Sequence, residues 1–263
     1  MLVVDAPSAL VDAADRVRAF DEARLDRALA AAGLEMPPHI RVSLVGEDDP
    51  RAAGVPRWVA GRAWGDRDIE IFPSRVSVYP YDSIESVLRH EIVHLALDRR
   101  AAGRRLPRWF HEGVAEAIGS ERGFVDRWQF LRAVAQAPTL AGVAEQFESG
   151  REGQTADAYR LAVALVDDIR RRHGAGAPGA IAGRVAEGVP FERAFLVETG
   201  ETVEAAATRA WDVYRRASQW LAVLSSGQVL WTAILLLAFA ALGVRLRRRA
   251  RLRRVWDELD GER

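Results

Sequence analysis

The 263-residue chain contains no cysteine, no lysine and no asparagine. Without cysteine there is no disulfide framework and no thiolate metal site. Any bound metal must therefore take imidazole and carboxylate ligands. Without lysine, all 37 basic side chains are arginine, a bias that points to a GC-rich bacterial genome rather than to a function. Net charge is lacking too. The formal total is zero, so no bulk field recruits nucleic acid. That neutrality hides an asymmetry: residues 245–263 hold eight Arg against four acids, which leaves the preceding part at −4. Histidine is scarce, at five residues. Apolar content, at 49%, is enough for a core.

Strand and helix patterns divide unevenly along the chain. "LVVDAP" opens as a short strand closed by Pro7. Residues 9–32 carry Leu10, Val11, Val17, Phe20, Leu25 and Leu29 at helical spacing, stopped by Gly33 and Pro37-Pro38. "HIRVSLV" (39–45) alternates as a strand, and "RWVAGRAWG" and "DIEIFPS" flank Gly65-Asp66 as a strand pair. Asp82 and Glu85 stand at N-cap and N3 spacing before Ile84, Val87 and Leu88, which predicts a helix start. Pro107 and Gly119 suit the two ends of a second helix. Further helices are expected near 123–136, 155–172, 180–187, 190–198 and 202–219, with "HGAGAPG" (173–179) as a loop. The class is α+β, with a small N-terminal sheet and a mostly helical C-terminal half.

Residues 221–244 carry no charge in 24 positions, and a bilayer core needs about 20 apolar residues. "RLRRRARLRR" follows at once. Ser225, Ser226 and Gln228 leave an uninterrupted core of only 16 residues from Val229. The abrupt Arg cluster still favours one C-terminal transmembrane helix over a buried helix with a basic tail. It reads as a membrane-adjacent cluster rather than a nucleic-acid patch. The positive-inside rule puts the C-terminus in the cytoplasm and the body outside it. That topology needs an export signal, which "MLVVDAPSAL" does not resemble, so a signal peptide is expected to be missing from this sequence.

The chemistry concentrates in "LRHEIVHLALDRR" (88–100). Residues four apart lie about 40° apart on a helix, so His90 and His94 can face one ion. Glu91 lies one residue round, suited to an attacking water rather than to the ion. Catalytic zinc usually takes three protein ligands. Glu112, in "LPRWFHEGVAEAIG" (106–119), can return on a second helix to supply the third. Glu116, one turn on, can accept the free N–H of a ligand histidine. His111 lies about 100° from Glu112 and is expected to point elsewhere. The competing reading for the histidines is an ordinary solvated helix face.

HEIVH with "WFHEGVAEAI" resembles the gluzincin metallopeptidases, and most of all the bacterial peptidase MA-like family. The resemblance runs from about Arg41 to His173, with a looser echo in "GVPFERAFLVETG". It implies a zincin-like fold, one zinc ion on His90, His94 and Glu112, and Glu91 as general base. Glu116 stands at the offset where thermolysin-like relatives carry a histidine-supporting acid. Relatives stabilise the oxyanion with a Tyr or His after the third ligand; Tyr159 is the candidate here, with His173 behind it. The chain has no G-x-M-E-N segment, which argues against an aminopeptidase.

The implied protein is a membrane-anchored zinc peptidase, cutting peptide or protein substrates internally outside the cytoplasm. "DIEIFPS" is expected to offer a sheet edge for an extended substrate. The expected organisation is a zincin subdomain at 1–122, a helical subdomain at 123–219, a bilayer-spanning helix at 220–244 and a basic cytoplasmic tail at 245–263. The alternative is a zincin-fold envelope scaffold without turnover, for which an intact Glu91 has no use.

Overall fold

The computed structural model describes residues 2–76, 83–119, 139–148 and 152–212, with Trp231, Leu235, Phe239 and Arg245. Among the described residues four short strands form one sheet: β1 (Leu2–Asp5), β2 (Ile40–Leu44), β3 (Gly61–Trp64) and β4 (Asp68–Ile71), in the order β1-β2-β4-β3. β1, β2 and β4 run parallel, and β3 returns antiparallel to β4. Alternation decides which side faces in. Val42, Leu44, Ile69 and Ile71 are buried on the inner face. The outer face is laced by Arg41–Asp68 at 3.4 Å and Arg62–Glu70 at 2.6 Å.

The sheet edge falls elsewhere than expected. β4, the strand in "DIEIFPS", lies between β2 and β3, so both of its backbone edges are paired. β3 takes the outer position.

The continuous helix expected over 9–32 is two helices. A 3-10 turn (Ser8–Leu10) leads into α1 (Val11–Arg18), and α2 (Glu22–Ala31) follows a break. Asp21 causes the restart, since its side chain accepts the Arg24 amide at 2.9 Å and caps α2.

α3 (Ile84–Arg100) is the central helix. Val87, Leu88, Ile92, Val93 and Leu95 are at most 1% exposed, so the helix is enclosed on nearly every side. Each such burial contributes about 1.5–3 kcal/mol. α3 packs on β3 and β4 on one side and on α1 and α4 (Arg108–Gly119) elsewhere. Beyond α4 come α5 (Leu140–Glu148), α6 (Glu152–His173), α7 (Ala177–Ala186) and α8 (Phe191–Thr199). Residues 203–212 are helical as well. α6 lies along α4 and carries the C-terminal helices against the zone around α3.

Residues 1–215 form one compact unit and 216–263 a second. The expected boundary at 122/123 and the helix expected at 123–136 lie outside the described residues. So does the apolar run 221–244, apart from Trp231, Leu235 and Phe239, whose side chains are exposed. No helix among the described residues is long and apolar enough to cross a membrane.

Candidate metal centre

α3 begins one residue later than the Asp82 cap expected from sequence. Ser83 is the cap: its hydroxyl accepts the Ser86 amide, and the Ser86 hydroxyl accepts the Ser83 amide, both at 3.1 Å. This reciprocal box fixes the start of α3, and with it the rotation of everything downstream. Two turns on, the Nε2 atoms of His90 and His94 face each other at 3.0 Å.

α4 returns from the loop after α3 and delivers Glu112. Its Oε2 lies 3.4 Å from the Nε2 of His90 and 3.4 Å from that of His94. Those separations are longer than such hydrogen bonds usually run. They do suit donors converging on one point, because an ion held tetrahedrally at about 2.0–2.1 Å from each donor sets them about 3.3 Å apart. Glu112 Oε2 is also buried and makes no hydrogen bond among the described residues. Two imidazoles and one carboxylate form a group able to hold a metal ion. These are the three residues the sequence pointed to, and the structure places them together. Glu116 is buried on α4 with Oε2 3.6 Å from His90 Nδ1, on the ring's far side.

Burial and charge divide the protons among these groups. Burial lowers the pKa of His90, but Glu112 and Glu116 outweigh it and lift it to about 10. Burial pushes His94 down to about 4, and the Glu112 charge does not offset it. Burial also works against ionisation of Glu112, yet the two imidazoles hold its carboxyl well below the usual range. Without a metal, the balance favours a proton on His90, the ring with a second carboxylate beside it, over one on His94 or Glu112.

Glu91 is only 4% exposed. Burial, with Glu112 adding to it, raises its carboxyl to about 7, against the pull of His90. The Ala63 backbone of β3 adjoins the same carboxylate and slightly favours its ionised form. β3 can come this close because residue 61 is glycine. A Cβ there would meet Val87 Cγ1 at 2.5 Å and Glu91 Oε1 at 3.0 Å. The sequence held that signal, in "VAGRAWG", but nothing in it said what the glycine faces.

Tyr159, on α6, does reach the centre. Its ring centroid lies 6.3 Å from that of His90, and its hydroxyl lies beside the Glu112 carboxylate. Burial and then the Glu112 charge hold that hydroxyl well above its usual pKa, so it stays protonated and can donate. Phe147 of α5 meets the Tyr159 ring edge-on at 5.2 Å. Arg108 donates to the Phe147 carbonyl at 2.9 Å and lies 3.8 Å from Glu112 Oε1. Sequence reasoning singled out neither Arg108 nor Phe147. His173, the second oxyanion candidate, sits at the far end of α6, 3.4 Å from Glu201. His111 is not one of the three converging donors, but it stays against the centre. Its ring lies flat on that of His94, with centroids 4.4 Å apart and planes 11° apart.

Compared with known proteins, the chain matches no family model and no curated relative.

Proposed function

We propose that this chain is a zinc metallopeptidase of the gluzincin type, akin to the bacterial peptidase MA-like family, cutting peptide bonds internally. One observation carries the reading. Three donors from two helices stand 3.0–3.4 Å apart beside a buried Glu91 whose carboxyl is raised to about 7. His90, His94 and Glu112 would hold the ion, and Glu116 would orient His90. Bound there, zinc acidifies a water towards neutrality and polarises a carbonyl.

The chain's own groups do the rest. Glu91 accepts the proton of the attacking water on its carboxylate and hands it to the leaving amine. The Tyr159 hydroxyl donates to the developing oxyanion. β3, outermost in the sheet order and touching Glu91 through Gly61 and Ala63, offers an extended substrate a strand to pair with.

Elemental analysis and a peptidase assay of wild type and Glu91→Gln test this. The expected result is one zinc per chain in both proteins, with cleavage about 10²–10⁴-fold slower in the variant. No stoichiometric zinc in wild type sinks the metal reading. Zinc with unchanged cleavage in Glu91→Gln sinks the assignment of the base. Zinc without any cleavage favours the scaffold.

The proposal includes a bilayer anchor at 221–244, with the Arg cluster in the cytoplasm. A reporter fused after Arg254 is expected to be active only on the cytoplasmic side, and activity only outside reverses that orientation.

A further inference from the structure

Metal-bound histidines usually have the second ring nitrogen tied to a carboxylate, carbonyl or water, which fixes the ring. For His90 a carboxylate stands near that nitrogen, with Glu116 Oε2 3.6 Å from Nδ1, beyond hydrogen-bond length. His94 is held differently. Its Nδ1 is buried and makes no hydrogen bond among the described residues. Its ring is nonetheless held from two directions. The His90 ring meets it edge-on, with centroids 4.6 Å apart and planes at 85°. The His111 ring covers its face at 4.4 Å, almost parallel.

His111 is itself fixed. Its Nε2 lies 2.7 Å from Asp98 Oδ1. Asp98 is on α3, four residues after His94, and so shares its face of the helix. The His111 ring thus reaches from α4 to α3, gripped at one edge by Asp98 and laid over the ligand ring. The residue next to it on α4 is the third donor, Glu112. The two helices that supply the donors also supply the clamp, and a slide of one past the other would disturb both together.

We propose that His111 is the positioning residue for His94: anchored by Asp98, it sets the ligand imidazole's plane by stacking, where a hydrogen bond usually does so. The proposal rests on the metal-site reading above. It concerns the shape and placement of the His111 ring, not its charge.

The test compares His111→Ala, His111→Phe and Asp98→Ala with wild type. Zinc affinity is read by competition with a chromophoric chelator. The His94 ring protons are read by long-range ¹H–¹⁵N NMR in metal-free protein. His111→Ala is expected to weaken zinc about 10–100-fold, the usual cost of losing a ligand's support. It should also move the His94 ring signals downfield as the neighbouring ring current disappears. His111→Phe keeps a flat ring and should restore most of the affinity and the shift. Asp98→Ala, at a half-exposed position, should weaken zinc in the same direction by less. Unchanged affinity and unmoved His94 signals in His111→Ala overturn the proposal. So does a His111→Phe variant as weak as His111→Ala, which would assign the effect to the His111 nitrogens. Absence of zinc binding in wild type is a different failure, because it removes the metal-site reading beneath the proposal.

Discussion

His90 holds a proton that a metal ion must displace. Its pKa of about 10 without metal means it is protonated at neutral pH, while its coordinating form is neutral. Binding at pH 7 should therefore release about one proton. Apparent zinc affinity should fall about tenfold for each unit the pH drops, and level off only as pH rises through about 10. Calorimetry in buffers of different ionisation heats measures that proton directly. The proximity of His90 and His94 was legible in the sequence, because spacing of four along a helix fixes a shared face whatever surrounds it. His111 was not. Its 100° offset from Glu112 does turn it from the point where the donors meet. What lies in that direction is the His94 ring on another helix, and spacing within one helix carries no information about contacts between two.

At the scale of elements, α4 is placed by its neighbours more than by its own sequence. Gly113, beside Glu112, is where α4 and α6 touch backbone to backbone. A Cβ there would meet the Ala162 carbonyl oxygen and Val166 Cγ2, each at 2.8 Å. Gly113→Ala should thus force the helices apart, destabilise the fold by about 1–3 kcal/mol and loosen zinc through the displaced carboxylate of Glu112. Denaturant unfolding and chelator competition on one preparation check both. The pairing of α3 with α4 was legible from the two motifs. The break in 9–32 was not: Val17, Leu25 and Leu29 are all buried, so the apolar stripe continues across the gap while the backbone does not. Only Asp21 marked the restart, and an aspartate in a helical pattern is not distinctive. The sheet edge was misplaced for a related reason. Alternation identifies a strand, but strand order depends on connections that alternation does not encode.

For the molecule as a whole, acid should be the weak side. Arg75 and Ser74 hold the Glu47 carboxyl at about 2. Glu201 is also brought to about 2: burial opposes this, but Arg209 and Arg172 prevail. Both values lie below the ordinary 4.5, so the folded chain binds these protons less readily than the unfolded one. Their stabilisation is complete above about pH 4.5 and disappears as pH falls towards 2. Urea unfolding at successive pH values should show stability dropping across that window, and Glu201→Gln should flatten the drop. These pairs were not legible, since Glu47 and Arg75 stand 28 residues apart and Glu201 meets Arg172 from the bend that follows α8. The centre, by contrast, draws its donors from residues 90–112, a single helical hairpin, whereas Tyr159 and the α6 surface that seats Glu112 come much later in the chain. On the ribosome the hairpin that carries the three candidate donors is therefore made first. The helix that steadies it and brings Tyr159 beside Glu112 emerges tens of residues afterwards, so a half-made chain owns the donors without their surroundings.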